Sequence, residues 1–406
     1  MAGKSNTIVG IDIGTSKIAV AVGEAKDDGQ VEVTGVGTAP SKGLRKGVVI
    51  NIEATVSSIS KAVAEAETMA GCDLSSVFAS ISGGHIKGIN SHGIVGIRNK
   101  EVTSYDIEKV IEAAKAVAIP LDREVLHVLP QEFIIDEQDG IRDPLGMSGV
   151  RLEARVHMVT GSVTSAENIV KCANRCGLTV DGIVLAPLAS GSAVVSAEER
   201  ELGACLIDIG SGTVDLTVFH GGAVKHTAVL SVGGNHLTND IAAGLRTPIA
   251  AAEKIKCEYG TALTSLVSGE DTIEVPSTGG RVPRVLSKLV LSEIIEPRIE
   301  EIFSLIHGEL VRSGFEELLT SGLVLAGGTA NLHGIVDVAE QVFNLPVRVG
   351  EPTGVSGLSD MVAGPQYATA VGLLLYGAEQ VKRAGFRSLR STLLGRIKRK
   401  VNDWLG

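Results

Sequence analysis

Two short stretches carry the residue types that hold phosphate. The apolar run that starts at Leu206 stops at Asp208-Ile209-Gly210-Ser211-Gly212-Thr213, then resumes as a strand-like alternation to Phe219. Near the start of the chain, "VGIDIGTSKIAVAVG" (residues 9–23) has the same shape around Asp12-Ile13-Gly14-Thr15-Ser16. A polyphosphate carries dense negative charge, and backbone N–H groups can hold it if side chains stay clear. Gly14, Gly210 and Gly212 permit close approach and a positive φ. Thr15, Ser16, Ser211 and Thr213 add hydroxyl donors, and Lys17 is either a cation that reaches phosphate or a solvated turn residue. Asp12 and Asp208 would repel phosphate on their own. They fit if a hydrated Mg²⁺ lies between carboxylate and phosphate, because that ion keeps several waters and needs few protein ligands. The same two carboxylates are the candidate groups for orienting a water. Asp215 recurs in the second stretch and is read as a brace for the loop. A third turn, Gly327-Gly328-Thr329, ends the apolar "GLVLA" and suits an adenine or ribose face. One such turn is an ordinary β-turn. Three at the ends of apolar strands, two of them in corresponding places, point to a duplicated nucleotide-binding architecture.

The elements around these turns predict an α/β fold of two halves around a cleft. Residues 8–22 read as a hairpin, 30–37 as a third strand and 77–82 as a short strand. Between them, Val56, Ile59, Val63, Ala66 and Met69 give Ile52–Ala70 a helical period. From 85 to 160 the pattern changes to short alternating strands (93–98, 125–128, 132–136, 151–159) and one helix (104–117), a small inserted α+β unit. The first half resumes with a helix at 165–176 and a strand at 181–185. The second half repeats the hairpin (206–219) and third strand (225–232), then takes an insertion of its own with a helix at 248–259. A long helix at 289–311 leads to the third Gly turn, which is expected to enter a helix directly. The expected boundaries are 1–84, 162–196 and 366–383 for the first core and 85–161 for its insertion. The second core takes 197–232 and 300–365, and its insertion 233–299. A link (384–391) and an amphipathic helix (392–406) follow. Ala186, Ala189, Gly191 and Ala193 give one helix a small face, and Ala368, Ala370 and Gly372 another, so that two helices can cross closely at a hinge.

The composition agrees with many strand-turn-helix junctions: 49 Gly, 44% hydrophobic and 3% aromatic residues in 406. That length suits two or more domains. The net charge of -10 is uneven, since Lys382 to Gly406 holds eight Lys or Arg against Asp403 alone. An acidic body excludes general nucleic-acid binding, and a basic end points to a local anionic partner. Five cysteines without a CxxC read as reduced thiols, with Cys172 and Cys176 as small packing residues. No signal peptide opens the chain and no apolar run reaches the roughly 18 residues of a membrane span.

The motifs "DIGTSK", "DIGSGTVD" and "LAGGTANLHGI" resemble the two phosphate motifs and the adenosine motif of the actin/Hsp70/sugar-kinase ATPase superfamily. Within it the chain resembles the FtsA family of bacterial actin-like cell-division proteins, on "VLHVLPQEFIID", "PLGMSGVRL", "ERELGACLIDIG", "YATAVGLLLYG" and the basic tail. The resemblance implies an actin-like ATPase fold that lacks actin's first-half insertion and carries a different one, here 85–161. It implies ATP and Mg²⁺ as ligands. Asp12, Gly14, Thr15 and Ser16 would form the first phosphate loop, with Lys17 beside it. Asp208, Gly210, Ser211, Gly212 and Thr213 would form the second. Gly327, Gly328 and Thr329 would flank the adenosine. In the superfamily a helix of the second insertion offers a Glu and, three residues on, a Lys to the nucleoside; Glu253 and Lys256 have that spacing and share a helix face. Ala186 stands where the Hsp70-like pattern has an acid, which implies weak hydrolysis at most. The family further implies self-assembly into filaments, tethering of the tubulin-like ring protein FtsZ by its C-terminal peptide, and contact with later divisome proteins. The FtsZ site would lie in the second insertion, where Arg284, Lys288 and Arg298 are basic candidates.

The end of the chain has its own chemistry. At about 100° per residue, Leu393, Leu394, Ile397, Val401, Trp404 and Leu405 fall within an arc of about 120°. Arg396, Lys398, Arg399 and Lys400 lie outside that arc. A hydrophobic face, a basic face and a terminal Trp suit an interfacial helix on anionic lipid. That would place the protein peripherally on the cytoplasmic face of the plasma membrane, and the resemblance implies the division site. A sugar or acetate kinase of the same superfamily would explain the loops but not the tail, and a pilus-assembly ATPase would share the inserted unit.

Overall fold

Hydrophobic alternation and small turn residues build one unit twice. The computed structural model describes residues 7–26, 30–277 and 282–382. In the first unit β1 (Thr7–Ile13), β2 (Lys17–Ala25) and β3 (Val31–Pro40) run antiparallel in turn. Ile11, Ile18, Val20 and Val22 are wholly buried, because elements cover both faces of this sheet. Short strands β4 (Leu44–Arg45) and β5 (Val48–Val49) make the corner to α1 (Ile52–Ala70). Asn51 caps α1 by accepting the Ala54 N–H, and Gly71 ends it at φ 68°. Ile59, Ala62, Val63 and Ala66 form the buried stripe of α1. Then β6 (Ser76–Ile81) returns parallel to β1.

The inserted unit follows as β7 (Lys87–Gly96), α2 (Ser104–Ala114), β8 (Arg123–Ile135), β9 (Gln138–Ile141) and β10 (Arg151–Ser162), in sheet order β7-β10-β8-β9. After α3 (Val163–Arg175), β11 (Thr179–Leu185) joins β6, and the first sheet reads β11-β6-β1-β2-β3. Helices α4 (Ala186–Val194) and α5 (Ala197–Leu202) lead to the second half. There β12 (Ala204–Ile209), β13 (Val214–His220) and β14 (Ala223–Leu230) repeat the three antiparallel strands. The second insertion holds α6 (Gly234–Leu245), α7 (Ile249–Tyr259) and the hairpin β15 (Thr272–Val275) with β16 (Arg284–Ser287). Helix α8 (Lys288–Ser313), β17 (Leu323–Ala326), α9 (Ile335–Phe343) and β18 (Val347–Val349) complete the sheet β18-β17-β12-β13-β14. The two five-strand orders match position for position.

Four details differ from the sequence-based expectation. Strand β19 (Val355–Gly357) pairs parallel with β3, so the chain rejoins the first sheet well before residue 366. The strands expected at 125–128 and 132–136 are one, β8. Pro130 separates them in the pattern, but its missing N–H is absorbed at a bulge, where Val156 pairs with Pro130 and Arg155 with Glu132, leaving Gln131 over. The expected boundary at 299/300 falls inside the 26-residue α8, which carries Pro297 without breaking. The third Gly turn enters a 3₁₀ turn, Gly328–Asn331, before α9 begins. The expected link (384–391) and the lipid-facing calls from Leu393 to Leu405 lie outside the described residues.

The inserted unit rests against β14 of the second half. Gln131, the residue left over at the bulge, donates to the Val224 carbonyl at 2.9 Å. His157 is buried between Asn90 Oδ1 (2.6 Å) and Thr227 Oγ1 (2.8 Å), and burial pushes its pKa down to about 4. Residues 368–382 form a helix that crosses α4. At the crossing a Cβ on Gly372 would lie 1.8 Å from the Ala189 carbonyl oxygen. That contact is with rigid backbone. We expect Gly372→Ala to cost about 1–3 kcal/mol or more by overpacking, read as a lower urea midpoint; an unchanged midpoint would mean the helices separate freely.

Candidate nucleotide cleft

A cleft of about 260 Å³ opens between the two units. It lies at the carboxyl ends of β1, β6, β12 and β17, where α/β sheets present ligand sites. Every residue assigned to nucleotide from the sequence lines it: Asp12, Gly14, Thr15, Ser16 and Lys17 from one side, Asp208 and 210–213 from the other. Glu253, Lys256, Gly327, Gly328 and Thr329 complete the lining.

The duplication extends to the turns themselves. Gly14 N–H donates to Lys17 O at 3.1 Å, and Gly210 N–H donates to Thr213 O at 2.9 Å. The expected positive φ is not what these glycines supply, since Gly14, Gly210 and Gly212 all lie outside the left-handed region. Their role is close approach. A Cβ on Gly14 would meet Lys17 O at 2.7 Å, and one on Gly212 would meet Thr15 Oγ1 at 2.7 Å. The two phosphate loops therefore touch across the cleft. Of the glycines assigned to the site from the sequence, Gly327 alone is left-handed (φ 83°), and a Cβ there would sit 2.5 Å from Asp208 Oδ1.

Each buried carboxylate has hydroxyl donors. Asp12 Oδ1 accepts from Ser80 Oγ (2.9 Å), and the same Ser80 Oγ accepts the Ile13 N–H (2.9 Å). Asp208 Oδ2 accepts from Ser190 Oγ (2.6 Å) and Thr369 Oγ1 (3.4 Å). Asp215 braces its loop as expected, accepting from Thr213 Oγ1 (3.1 Å), and it also accepts from Ser82 Oγ of the first half at 2.6 Å. Burial raises all three pKa values. Burial, less the help of Ser190 and with the charge of Asp12 added, lifts Asp208 to about 6. Burial and the charge of Asp208 lift Asp215 to about 7. Burial lowers the Lys17 ammonium, against the pull of Asp12 and Asp208.

These residues fit nucleotide and metal chemistry. Ser211 Oγ, in the second loop, is buried with no hydrogen-bond partner, which a phosphate oxygen would supply. Among the described residues no three His, Cys, Asp or Glu side chains converge as a metal cage. Two carboxylates on opposite walls suit an ion held largely through its own waters. Lys256 Nζ donates to Glu253 Oε2 (2.8 Å), Thr238 Oγ1 (2.9 Å) and Gly234 O (3.2 Å), and its side chain is only 11% exposed. The pair is thus a wall of the cleft. Elsewhere, Arg298 is neutralised by Asp240 at 2.5 Å and by Glu301, which removes it from the free cations of the second insertion. Arg284 donates to the Leu245 carbonyl, and Lys288 opens α8 beside it.

Sequence reasoning missed Ser80, Ser82, Gln366 and Thr369, which also line the cleft. The small polar run "SISGG" just after the apolar part of β6 was the available signal for the first two.

Comparison with known proteins places this geometry. The family model described as "Cell division protein FtsA" matches residues 205–372, and "SHS2 domain inserted in FTSA" matches 83–160. "Cell division protein FtsA" of Pseudomonas aeruginosa is 55% identical over 92% of this chain and 89% of its own length. The chain belongs to the FtsA family. The FtsA protein of Neisseria meningitidis is 50% identical over 90% of this chain and 88% of its own. The inserted sheet, expected from the sequence at 85–161, therefore matches the SHS2 domain described as inserted in FtsA. Among solved structures, the "PilM-PilN type IV pilus biogenesis complex" aligns with TM-score 0.68 at 18% identity, covering 91% of this chain and 98% of that one. MreB 5 of Spiroplasma citri bound to AMPPNP aligns with TM-score 0.58 at 14% identity, covering 95% and 99%. At those identities the match is one of fold, and the fold is that of the actin-like ATPases. FtsA membership sets the cell-division reading above the kinase and pilus readings.

The raised aspartates set a pH dependence. Asp208 and Asp215 hold protons in the folded state that the unfolded chain, with carboxyls near 3.8, has released. Their contribution to stability is complete below about pH 4 and is lost as pH rises through about 6 and 7. Asp215→Asn keeps an acceptor for Ser82 and removes the charge. In EDTA without nucleotide it should stabilise the protein at pH 8 by on the order of 1–2 kcal/mol and flatten the fall in stability between about pH 4 and pH 7. Urea titrations with parallel slopes for both proteins would overturn this.

Proposed function

We propose that this FtsA-family protein binds ATP with Mg²⁺ in the cleft, and that bound nucleotide governs its assembly on a membrane. The observation that carries the reading is the pair of turns closed by the same hydrogen bond and meeting across a cleft whose walls hold Asp12 and Asp208. Backbone amides and the hydroxyls of Thr15, Ser16, Ser211 and Thr213 would hold phosphates, with Lys17 as the cation. Glu253, Lys256 and the turn Gly327-Gly328-Thr329 would flank the nucleoside. Mg²⁺, when bound, would neutralise phosphate charge between the two aspartates.

Hydrolysis should be slow. Ala186 lines the cleft with a methyl group, which has no acid–base chemistry. Asp12 and Asp208 are committed to Ser80 and Ser190. A missing positioned base costs about 10²–10⁴-fold, which from a common turnover of about 10 per second leaves roughly 0.001–0.1 per second. A purified protein turning over near one per second would overturn this reading.

The partners are a further copy of the chain, later divisome proteins, the C-terminal peptide of FtsZ and anionic lipid. The second insertion supports the peptide site. Val282 (82% exposed) and Val285 (70%) flank Arg284, with Lys288 close in sequence, an apolar and basic surface for an acidic peptide. The basic, amphipathic pattern of 392–406 supports the lipid contact, on the cytoplasmic face at the division site. Among the described residues no helix is long and apolar enough to cross a membrane. Co-sedimentation with anionic vesicles tests the whole reading. The full chain should pellet, more strongly with ATP–Mg²⁺, and a chain ending at Leu389 should stay in solution. If both stay in solution with and without nucleotide, the anchor reading fails.

A further inference from the structure

The turn that opens helix 368–382 forms the floor of the cleft and is gripped from both halves. From the second half, Gly327 N–H donates to Pro365 O at 3.1 Å and Asn331 Nδ2 donates to Gln366 Oε1 at 2.9 Å. From the first half, Lys17 Nζ donates to Gln366 O at 3.0 Å and lies 3.8 Å from the centre of the Tyr367 ring. Inside the helix, Thr369 Oγ1 reaches Asp208 Oδ2 at 3.4 Å. Residues of both phosphate motifs are thus bonded to the start of one helix. That helix is the last described element, and residues 383–406 follow it in sequence.

An ammonium has three donors and no acceptor. Here one donor goes to a neutral carbonyl and the charge rests on a ring face, a contact of modest strength. Phosphate oxygens are charged acceptors and bind an ammonium roughly twice as strongly as a neutral carbonyl does. A polyphosphate in the cleft therefore competes with Gln366 and Tyr367 for the same side chain. We propose that the Gln366 carbonyl and the Tyr367 ring hold Lys17 in reserve, and that its transfer to a nucleotide phosphate frees the start of helix 368–382, so that phosphate occupancy reaches the C-terminal segment. This rests on the nucleotide reading above and adds a route from cleft to tail. Tyr367 is a positioning residue that acts through Lys17. The coupling is reciprocal: whatever favours the reserve position weakens phosphate binding by the same factor.

The test uses the full chain with ATP–Mg²⁺ and adenosine as separate probes in calorimetric titrations. Tyr367→Leu removes the ring and should tighten ATP about three- to tenfold while leaving adenosine affinity unchanged. Tyr367→Phe keeps the ring and should keep the parent's ratio of ATP to adenosine affinity. Lys17→Met should weaken ATP, and in that background Tyr367→Leu should have no further effect, a non-additivity that only contact through Lys17 produces. Hydrogen exchange adds a structural readout. Amides at 366–372 should exchange faster with ATP–Mg²⁺ than with adenosine in the parent, and equally with both in Lys17→Met. Additive effects of the two substitutions in a parent that binds ATP would overturn the relay alone. So would a Tyr367→Leu that weakens both probes alike, which marks a merely structural floor. A parent that binds neither probe would bring down the nucleotide reading and the relay together.

Discussion

Three carboxylates buried in one cavity are the constraint on which the rest of this structure turns. A buried charge without donors is costly, and beyond burial Asp12 raises the pKa of Asp208, and both raise that of Asp215. The protein answers with hydroxyls: Ser80 for Asp12, Ser190 and Thr369 for Asp208, Ser82 and Thr213 for Asp215. Each bond except Thr213–Asp215, which lies within the second loop, ties a phosphate loop to a different element. Ser80 and Ser82 bring the end of β6, Ser190 brings α4, and Thr369 brings the final helix. The Ser82–Asp215 bond goes further and joins the two halves directly. Loosening any one of these carboxylates alters the relative placement of the loops, so the electrostatics of the site and the geometry of the cleft are one problem.

What could be read from the sequence divides along sequence separation. The hairpins, α1 and the inserted unit are local, and their residue patterns declare them: Asp-Ile-Gly at the end of an apolar run, a 3.6-residue period, an alternation of two. The cleft lining followed because its loops sit inside those hairpins. The hydroxyl donors did not, because Ser80 lies 68 residues from Asp12, Ser82 133 from Asp215 and Thr369 161 from Asp208. A serine at the end of a strand looks the same whether it faces water or a carboxylate. Strand β19 was hidden for a related reason, since three residues have too short a pattern to reveal that they complete a sheet begun more than 300 residues earlier. The two strands read at 125–128 and 132–136 err in the opposite sense, since they are one strand that runs through Pro130. Proline usually interrupts a strand, and only the pairing across β10 shows that a bulge accommodates it.

The bulge also places the inserted unit. By leaving Gln131 over, it frees that side chain to reach the backbone of β14, while neutral His157 fills the gap between Asn90 and Thr227. The insertion is spliced into the first half but rests on the second. Motion of one half against the other must therefore be accommodated along this contact as well as at the crossing of α4 with helix 368–382. That crossing has no slack, since Gly372 lies against the Ala189 backbone. Interfaces this tight move between discrete arrangements more readily than they deform gradually.

The same reasoning gives a physical motive for assembly. On the proposed reading, each basic residue near an anionic surface contributes about 1 kcal/mol, and ordering a helix there costs a comparable total. A single tail would then hold a monomer only weakly. Tails joined in one filament act as linked sites, and attachment rises steeply with the number linked. Membrane residence would become a readout of polymer length, with no change in the tail itself. A cleft that binds nucleotide and turns it over slowly suits that arrangement better than a fast hydrolase, because the assembled state must outlast many encounters with lipid. The acidic body has a part here too. On the same reading anionic lipid would repel it while attracting the basic end, which would confine contact to the tail and leave the cleft and the second insertion free.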